Sequence, residues 1–303
     1  MSWFFIALFA PALWSVTNHI DKYLIGKYFR GTGTGALIVF SSLIGLFVLP
    51  FILLFQVNVL DIKPLNALLV MGGSAVALLA ILIYLYSLKK DEASIVVPLF
   101  QTIPVFSYVL AYIVLGETLT SRQMLGAVLV ILGAISISFD LTEKKPKFKS
   151  VVFFLMLVSS FLSAFSGLIF KFVAVQNGFW TTSFWGYVGD TLVGIFLLLF
   201  IRAYRDQFIS VIKRSKVPII GLNALNEIIN VIASLCIKFA SLLAPLALVW
   251  VVNGFQPFFV FIYGVILTLF FPKLGTESLL KKHLAQKIAA IVIMFIGTFI
   301  LNG

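Results

Sequence analysis

The residues of this chain best suited to chemistry sit in GLNALNEIIN, residues 221–230, which runs on into VIASLCIKFAS. At 100° per residue, Asn223, Asn226, Glu227, Asn230 and Ser234 fall within one helical arc of about 100°. A carboxyl group set among carboxamides can hydrogen-bond a polar solute, and it can take up and release a proton. It cannot face lipid, because a charge at mid-membrane costs about 2.5–3.5 kcal/mol even on lenient scales. The stripe therefore faces a cavity or another helix. In the functional reading Glu227 carries a proton and the three Asn bind a substrate. In the structural reading Glu227 pairs with a Lys, or ties the Asn residues to a neighbouring helix. Four polar groups on one face exceed the needs of one helix contact, and this favours a binding role.

Other candidates lie in other apolar runs. Asp190, in GYVGDTLVG, either lines a cavity as a second proton-coupling group or pairs with Lys171. Near the start come Trp14, Ser15, Asn18, His19, Asp21 and Lys22. Trp14 and Asn18 are the substrate contacts expected there, His19 is read as a satisfied or interfacial residue, and Lys22 and Lys171 either serve a cavity mouth or snorkel. Gln101 with Pro104, and Trp250 and Asn253 with Gln256 and Pro257, complete the substrate-binding set. Each Pro frees backbone carbonyls and lets its span bend.

These residues must be positioned by membrane helices. Of 303 residues 61% are hydrophobic and 11% charged, against about 25% charged in soluble domains. Apolar runs of about 20 residues, the length that crosses a bilayer, recur from end to end. Ten spans are expected, at roughly 3–24, 35–56, 66–88, 93–115, 121–139, 151–175, 181–203, 217–238, 242–271 and 284–301. The opening MSWFFIALFAPALW has no basic n-region and reads as the first span. The net charge of +11 does not indicate nucleic acid, since the basic residues lie in short loops beside lipid. The single Cys236 and two distant His leave no clustered metal ligands, no phosphate-binding loop is present, and no cofactor is expected.

The spans divide into two halves of five, residues 1–139 and 151–303, around the basic linker 140–150, DLTEKKPKFKS. LWSVTNHIDKY lies over LSAFSGLIFKF at an offset that sets Lys22 on Lys171 and Lys89 on Lys238. With a short slip Pro104 falls on Pro257, and Gly133 falls on Gly297. With five spans per half, the second enters the membrane inverted, as in many secondary transporters. The stretch EASIVVPLFQTIPVFSYVLAYIVLGETLTSRQMLGAVLVILGAISI, with its Gly-Glu turn at Gly116–Thr120, resembles the end of an EamA domain of the drug/metabolite transporter superfamily. The resemblance implies an all-α membrane protein: ten transmembrane helices in two inverted five-helix EamA-like repeats around a central cavity. The second half departs from the pattern with a longer loop, where Glu277 is a loose equivalent of Glu117.

All but four of the 22 Lys and Arg fall in the loops after odd-numbered spans, the exceptions being Lys63, Arg122, Lys171 and Lys238. The positive-inside rule then puts the linker in the cytoplasm and both termini outside, whereas the resemblance implies cytoplasmic termini. The function expected is secondary active transport of a small polar or amphipathic metabolite, by alternating access, in the cytoplasmic (inner) membrane, with substrate and lipids as partners. The rival readings are a flippase for a lipid-linked sugar and an intramembrane enzyme. The enzyme would need clustered catalytic groups at one membrane face.

Overall fold

The computed structural model describes residues 2–27, 35–56, 58–90, 97–138, 150–214, 217–270 and 281–302. Linker residues 140–149, Glu277 and the side chains of Lys22 and Lys89 lie outside them. The described residues are all-helical, without strands. The helices are α1 (Ser2–Lys27), α2 (Gly35–Leu43), α3 (Gly45–Phe55), α4 (Pro64–Lys90), α5 (Ile103–Leu115), α6 (Ser121–Ser138), α7 (Ser150–Asn177), α8 (Phe179–Phe200), α9 (Arg202–Arg214), α10 (Val217–Leu243), α11 (Leu246–Val252), α12 (Gln256–Phe270) and α13 (Lys281–Asn302). Seven stretches are long and apolar enough to cross a membrane: Ser2–Asp21, Gly35–Leu54, Pro64–Ser87, Val151–Asn177, Phe179–Phe200, Ile219–Leu243 and Leu246–Phe270. Three shorter apolar segments accompany them: Leu99–Leu115, Ser121–Ser136 and Ile288–Leu301. The chain is thus a multi-pass helical membrane protein.

Several expected spans are interrupted. Residues 93–115 and 242–271 do not form single bent helices. A 3₁₀ turn, Val97–Thr102, precedes α5, and another, Asn253–Phe255, separates α11 from α12. Pro104 and Pro257 are each the second residue of the helix that follows. A proline has no N–H to give and fits a helix start better than its middle. The eighth span extends past residue 238 to Leu243, and Pro245 then starts α11. Residues 202–214, expected as loop, form a helix because Tyr204, Phe208 and Val211 share a face. Phe208 packs on Phe40 at 4.7 Å between ring centroids, and Gln207 Oε1 accepts from Gly35 N–H at the start of α2 (3.0 Å).

Without water to drive them together, membrane helices associate through close backbone approach at small residues. α1 packs on α10 through Ala7, Ala10, Ala233, Ala240 and Ala244. α4 lies on α7, where Ser159 Oγ donates to Ala80 O at 2.8 Å. α6 and α13 meet at Gly126 and Gly297, close enough that a Cβ on Gly297 would sit 2.8 Å from Gly126 O. A Cβ on Gly72 would meet nothing within 4 Å. Gly297→Ala should therefore destabilise by about 1–3 kcal/mol through overpacking, and Gly72→Ala should be neutral or slightly stabilising. Thermal unfolding of the two variants in detergent tests this. Equal melting temperatures would show that α6 and α13 do not make this contact.

Candidate functional site

α10 carries its polar stripe inward. Asn223, Asn226 and Glu227 are 1%, 2% and 5% exposed, and Asn230 is half-buried. Three of these groups are met by two other helices, α1 and α2. Ser41 of α2 donates through Oγ to Glu227 Oε1 at 2.8 Å. Asn226 Nδ2 donates to Asp21 Oδ1 of α1 at 2.7 Å. The Trp14 indole N–H, also on α1, donates to Asn230 Oδ1 at 2.7 Å. Asn230 also hydrogen-bonds Glu227. Asp21 lies near enough for its charge to act on Glu227 and on Tyr84 of α4, and the Tyr84 ring packs on Phe100 at 4.7 Å. Because Trp14 reaches Asn230 while Asp21 reaches back to Asn226, α1 and α10 run antiparallel along this seam.

The cluster draws together five of the residues expected to bind substrate: Trp14, Asn223, Asn226, Glu227 and Asn230. It adds three that the sequence reading left out: Asp21, Ser41 and Tyr84. Asp21 had a signal, being seven positions from Trp14 and so on its face of α1; Ser41 and Tyr84 had none. Within the cluster Asn223 Oδ1 and Asn226 Oδ1 are buried without a hydrogen-bond partner among the described residues.

Gln101, Trp250 and Asn253 form a second group. Gln101 is 7% exposed, and its Oε1 lies against Gly254, 3.0 Å from where a Cβ would be. Asn253 Oδ1 is buried without a hydrogen-bond partner among the described residues, and Trp250 packs toward Ala111 and Leu168. No hydrogen bond among the described residues joins this group to the α10 stripe; Phe100, beside Gln101 and against Tyr84, is the link between them. Asn18 is exposed on α1. His19 turns away to α12, its Nε2 3.2 Å from Val260 O.

Lys171 does not pair with Asp190, which corrects that alternative. Lys171 forms an ion pair with Glu117, the side chains 9% and 15% exposed, and donates to Ala244 O at 2.7 Å. Glu117 also accepts from the Leu246 N–H at 2.8 Å. Gly116, in the left-handed region at φ 66°, ends α5 and aims Glu117 at this junction. Pro245 breaks the chain between α10 and α11 and strands a carbonyl and an amide, and one ion pair satisfies both. Asp190 instead lies beside Ser74 of α4, whose Oγ donates to Met71 O at 3.0 Å, and feels the charge of Lys238. The Lys238 ammonium stands 5.2 Å from the centroids of both the Phe170 and Tyr187 rings. No group of three or more His, Cys, Asp or Glu able to hold a metal occurs among the described residues.

Residues 1–139 match the EamA-like transporter family, as the Gly-Glu turn suggested, and the chain is consistent with an EamA-type transporter of the drug/metabolite transporter superfamily. An uncharacterised protein of Methanocaldococcus jannaschii is 41% identical over 83 residues, 27% of this chain and 56% of that protein. The chain thus spans little more than half the length of that relative. A protein of known crystal structure superposes with a TM-score of 0.68 at 15% identity, covering 99% of this chain and 96% of its own, so the fold has a solved precedent.

Removing one partner of a buried ion pair costs about 3–5 kcal/mol, whereas replacing both with apolar groups is often nearly neutral. Lys171→Met should therefore lower thermal stability clearly. Adding Glu117→Gln, whose carbonyl still accepts from Leu246, should restore part of the loss. A Lys171→Met single variant as stable as wild type would show that the pair does not form.

Proposed function

We propose that the protein is a secondary active carrier of a small polar or amphipathic metabolite, that its substrate site is the cluster around Glu227, and that Glu227 couples transport to protons. The carrying observation is the position of Glu227, at the middle of the polar face of α10 where α1, α2 and α4 converge, held by a neutral Ser41 hydroxyl and a carboxamide and by no described basic side chain. The match of residues 1–139 to a transporter family supports the class, which an enzyme reading lacks. The cytoplasmic membrane is its proposed location.

Ten spans in two inverted repeats, 1–139 and 151–303 around the linker 140–150, supply the alternating access. The contact pattern supports this reading, because the main contacts of α1, α7, α6 and α13 recur when each span of one half is exchanged for its counterpart, although the packing of α4 on α8 has no match in α2–α3 on α10. α1 on α10 answers α7 on α4. α6 on α13 and α2–α3 on α8 map onto themselves, and α5 on α7 answers α12 on α1. The polar contacts follow the same exchange. Ser41 and Asp190 are 149 positions apart, Ser74 and Glu227 are 153 apart, and Ser41 bonds Glu227 while Ser74 lies beside Asp190. The 149 offset is that of Lys22 with Lys171; the 153 offset is that of Pro104 with Pro257, and its use for Ser74 replaces the pairing of Lys89 with Lys238 in the same helix. The two carboxylates thus occupy related places with Ser and acid exchanged.

In liposomes loaded with a pH dye, the wild-type protein should move protons when a transported metabolite from a panel is added. Glu227→Gln, which keeps the shape of the side chain, should fold, retain substrate exchange at raised substrate concentration and lose the proton signal. A stable Glu227→Gln carrier with unaltered pH dependence would rule out the coupling role. Orientation has its own test. A Ser150→Cys probe in a Cys236→Ser background should resist impermeant thiol reagents in intact cells, as the basic linker demands; ready labelling would place the linker outside.

A further inference from the structure

We infer that the cluster of Asp21, Glu227, Asn223 and Asn226 binds the ammonium group of an amine-bearing organic solute; this rests on the carrier reading above and gives its substrate a charge.

The first argument is a surplus of acceptors. Three donors of the cluster are committed: Ser41 Oγ to Glu227, Asn226 Nδ2 to Asp21, and the Trp14 indole N–H to Asn230. The amide orientations of Asn226 and Asn230 follow from their partners, since a carboxylate accepts and an indole N–H only donates. Two carboxamide oxygens are left over. Asn223 Oδ1 and Asn226 Oδ1 are buried with no donor among the described residues, in side chains 1% and 2% exposed. The Asn226 oxygen belongs to the carboxamide whose nitrogen holds Asp21, and Asn223 lies one helical turn from Glu227. An orphaned buried acceptor costs about 1–3 kcal/mol. A ligand that fits must therefore donate hydrogen bonds, and a primary ammonium has three N–H donors and no acceptor.

The second argument is charge. Asp190, the counterpart of Ser41 on the other side of the proposed repeat, has Lys238 nearby to offset it. Asp21 and Glu227 lie within each other's field, and no described basic side chain is paired with either. Among the described side chains on the helices around them, Tyr84 on α4 is the titratable group that faces Asp21. His19 on α1 is turned to Val260, and α2 offers only the Ser41 hydroxyl. A carboxylate within a span needs a compensating positive charge. A proton or a bound cation can provide it, and the two are alternatives at the same oxygen. The aromatic rings of Trp14 and Tyr84 stand beside the cluster, and such rings attract organic ammonium groups far better than they replace the water of a small metal ion.

The test uses the full chain in nanodiscs and three probes of similar shape: 2-phenylethylamine, 2-phenylethanol and 3-phenylpropionate. Binding is followed by calorimetry and by tryptophan fluorescence, which Trp14 should report. The amine should bind at least tenfold more tightly than the alcohol or the acid. Its affinity should fall as pH is lowered from 8 to 6, by proton competition. Asn223→Ala and Glu227→Gln should each weaken the amine at least tenfold while leaving the melting temperature within a few degrees of wild type. If Glu227→Gln does not fold, Asn223→Ala and Asp21→Asn carry the same expectation. Equal or tighter binding of the acid or alcohol, binding of none of the three, or a response to sodium alone would each overturn the inference. Amine binding without transport in liposomes would leave the site standing and remove the carrier reading. Transport of an anionic or neutral solute would do the reverse.

Discussion

Hydrocarbon offers no hydrogen bonds, so every polar group within a span must find its partner inside the protein. On α10 this requirement is concentrated. Three carboxamides and a carboxyl share one face, and that face dictates which helices stand around it. α1 is held by two side-chain hydrogen bonds, at Trp14 and Asp21, and α2 by one, at Ser41. The small residues follow from this. For Trp14 and Asp21 to reach the stripe, α1 must lie close to α10, and Ala7, Ala10, Ala233 and Ala240 permit that approach. Packing and polar pairing are thus two aspects of one seam.

The same requirement explains the breaks. Irregular backbone at membrane depth survives where protein satisfies it. The interruption at Ala244–Pro245 is tied by Glu117 and Lys171, which are drawn from different halves of the chain. The ion pair therefore does more than neutralise two charges: it closes the helix ends of α10 and α11 and fixes the loop after α5 against them. α10 is in consequence constrained differently along its length. Its C-terminal end is locked by an ion pair and an alanine seam, while its middle is held by single neutral hydrogen bonds around orphaned oxygens.

Much of this was legible in the sequence. The helical class followed from the apolar runs, the inward stripe from the spacing of Asn223, Glu227 and Asn230, and the family match of residues 1–139 from the Gly-Glu turn. Partners were not legible. Ser41 is one hydroxyl in an apolar span, and its bond to Glu227 depends on the angle at which α2 crosses α10. Glu117 could be recognised as a turn residue, but its engagement of Leu246 across the halves depends on tertiary position. The 3₁₀ turns before Pro104 and Pro257 were hidden because a proline reads alike as a kink or as a helix start. The helix at Arg202–Arg214 was hidden because its basic residues mark a loop in charge counting, while the face built by Tyr204, Phe208 and Val211 is short.

The proposed repeat gives the two Ser–carboxylate contacts a common origin, and their differences then carry information. Around Asp190 the surroundings are Lys238 with the Phe170 and Tyr187 rings, so the positive charge there is covalently part of the protein. Around Glu227 the surroundings are a second carboxyl, Asp21, and carboxamides with unmet oxygens. A permanent lysine makes a permanent contact, since a buried charge that loses its partner is strongly penalised. A carboxyl offset by something exchangeable, whether a proton or a solute, can be occupied and vacated. Of two related positions in one fold, one therefore has the composition of a fixed joint and the other that of a site.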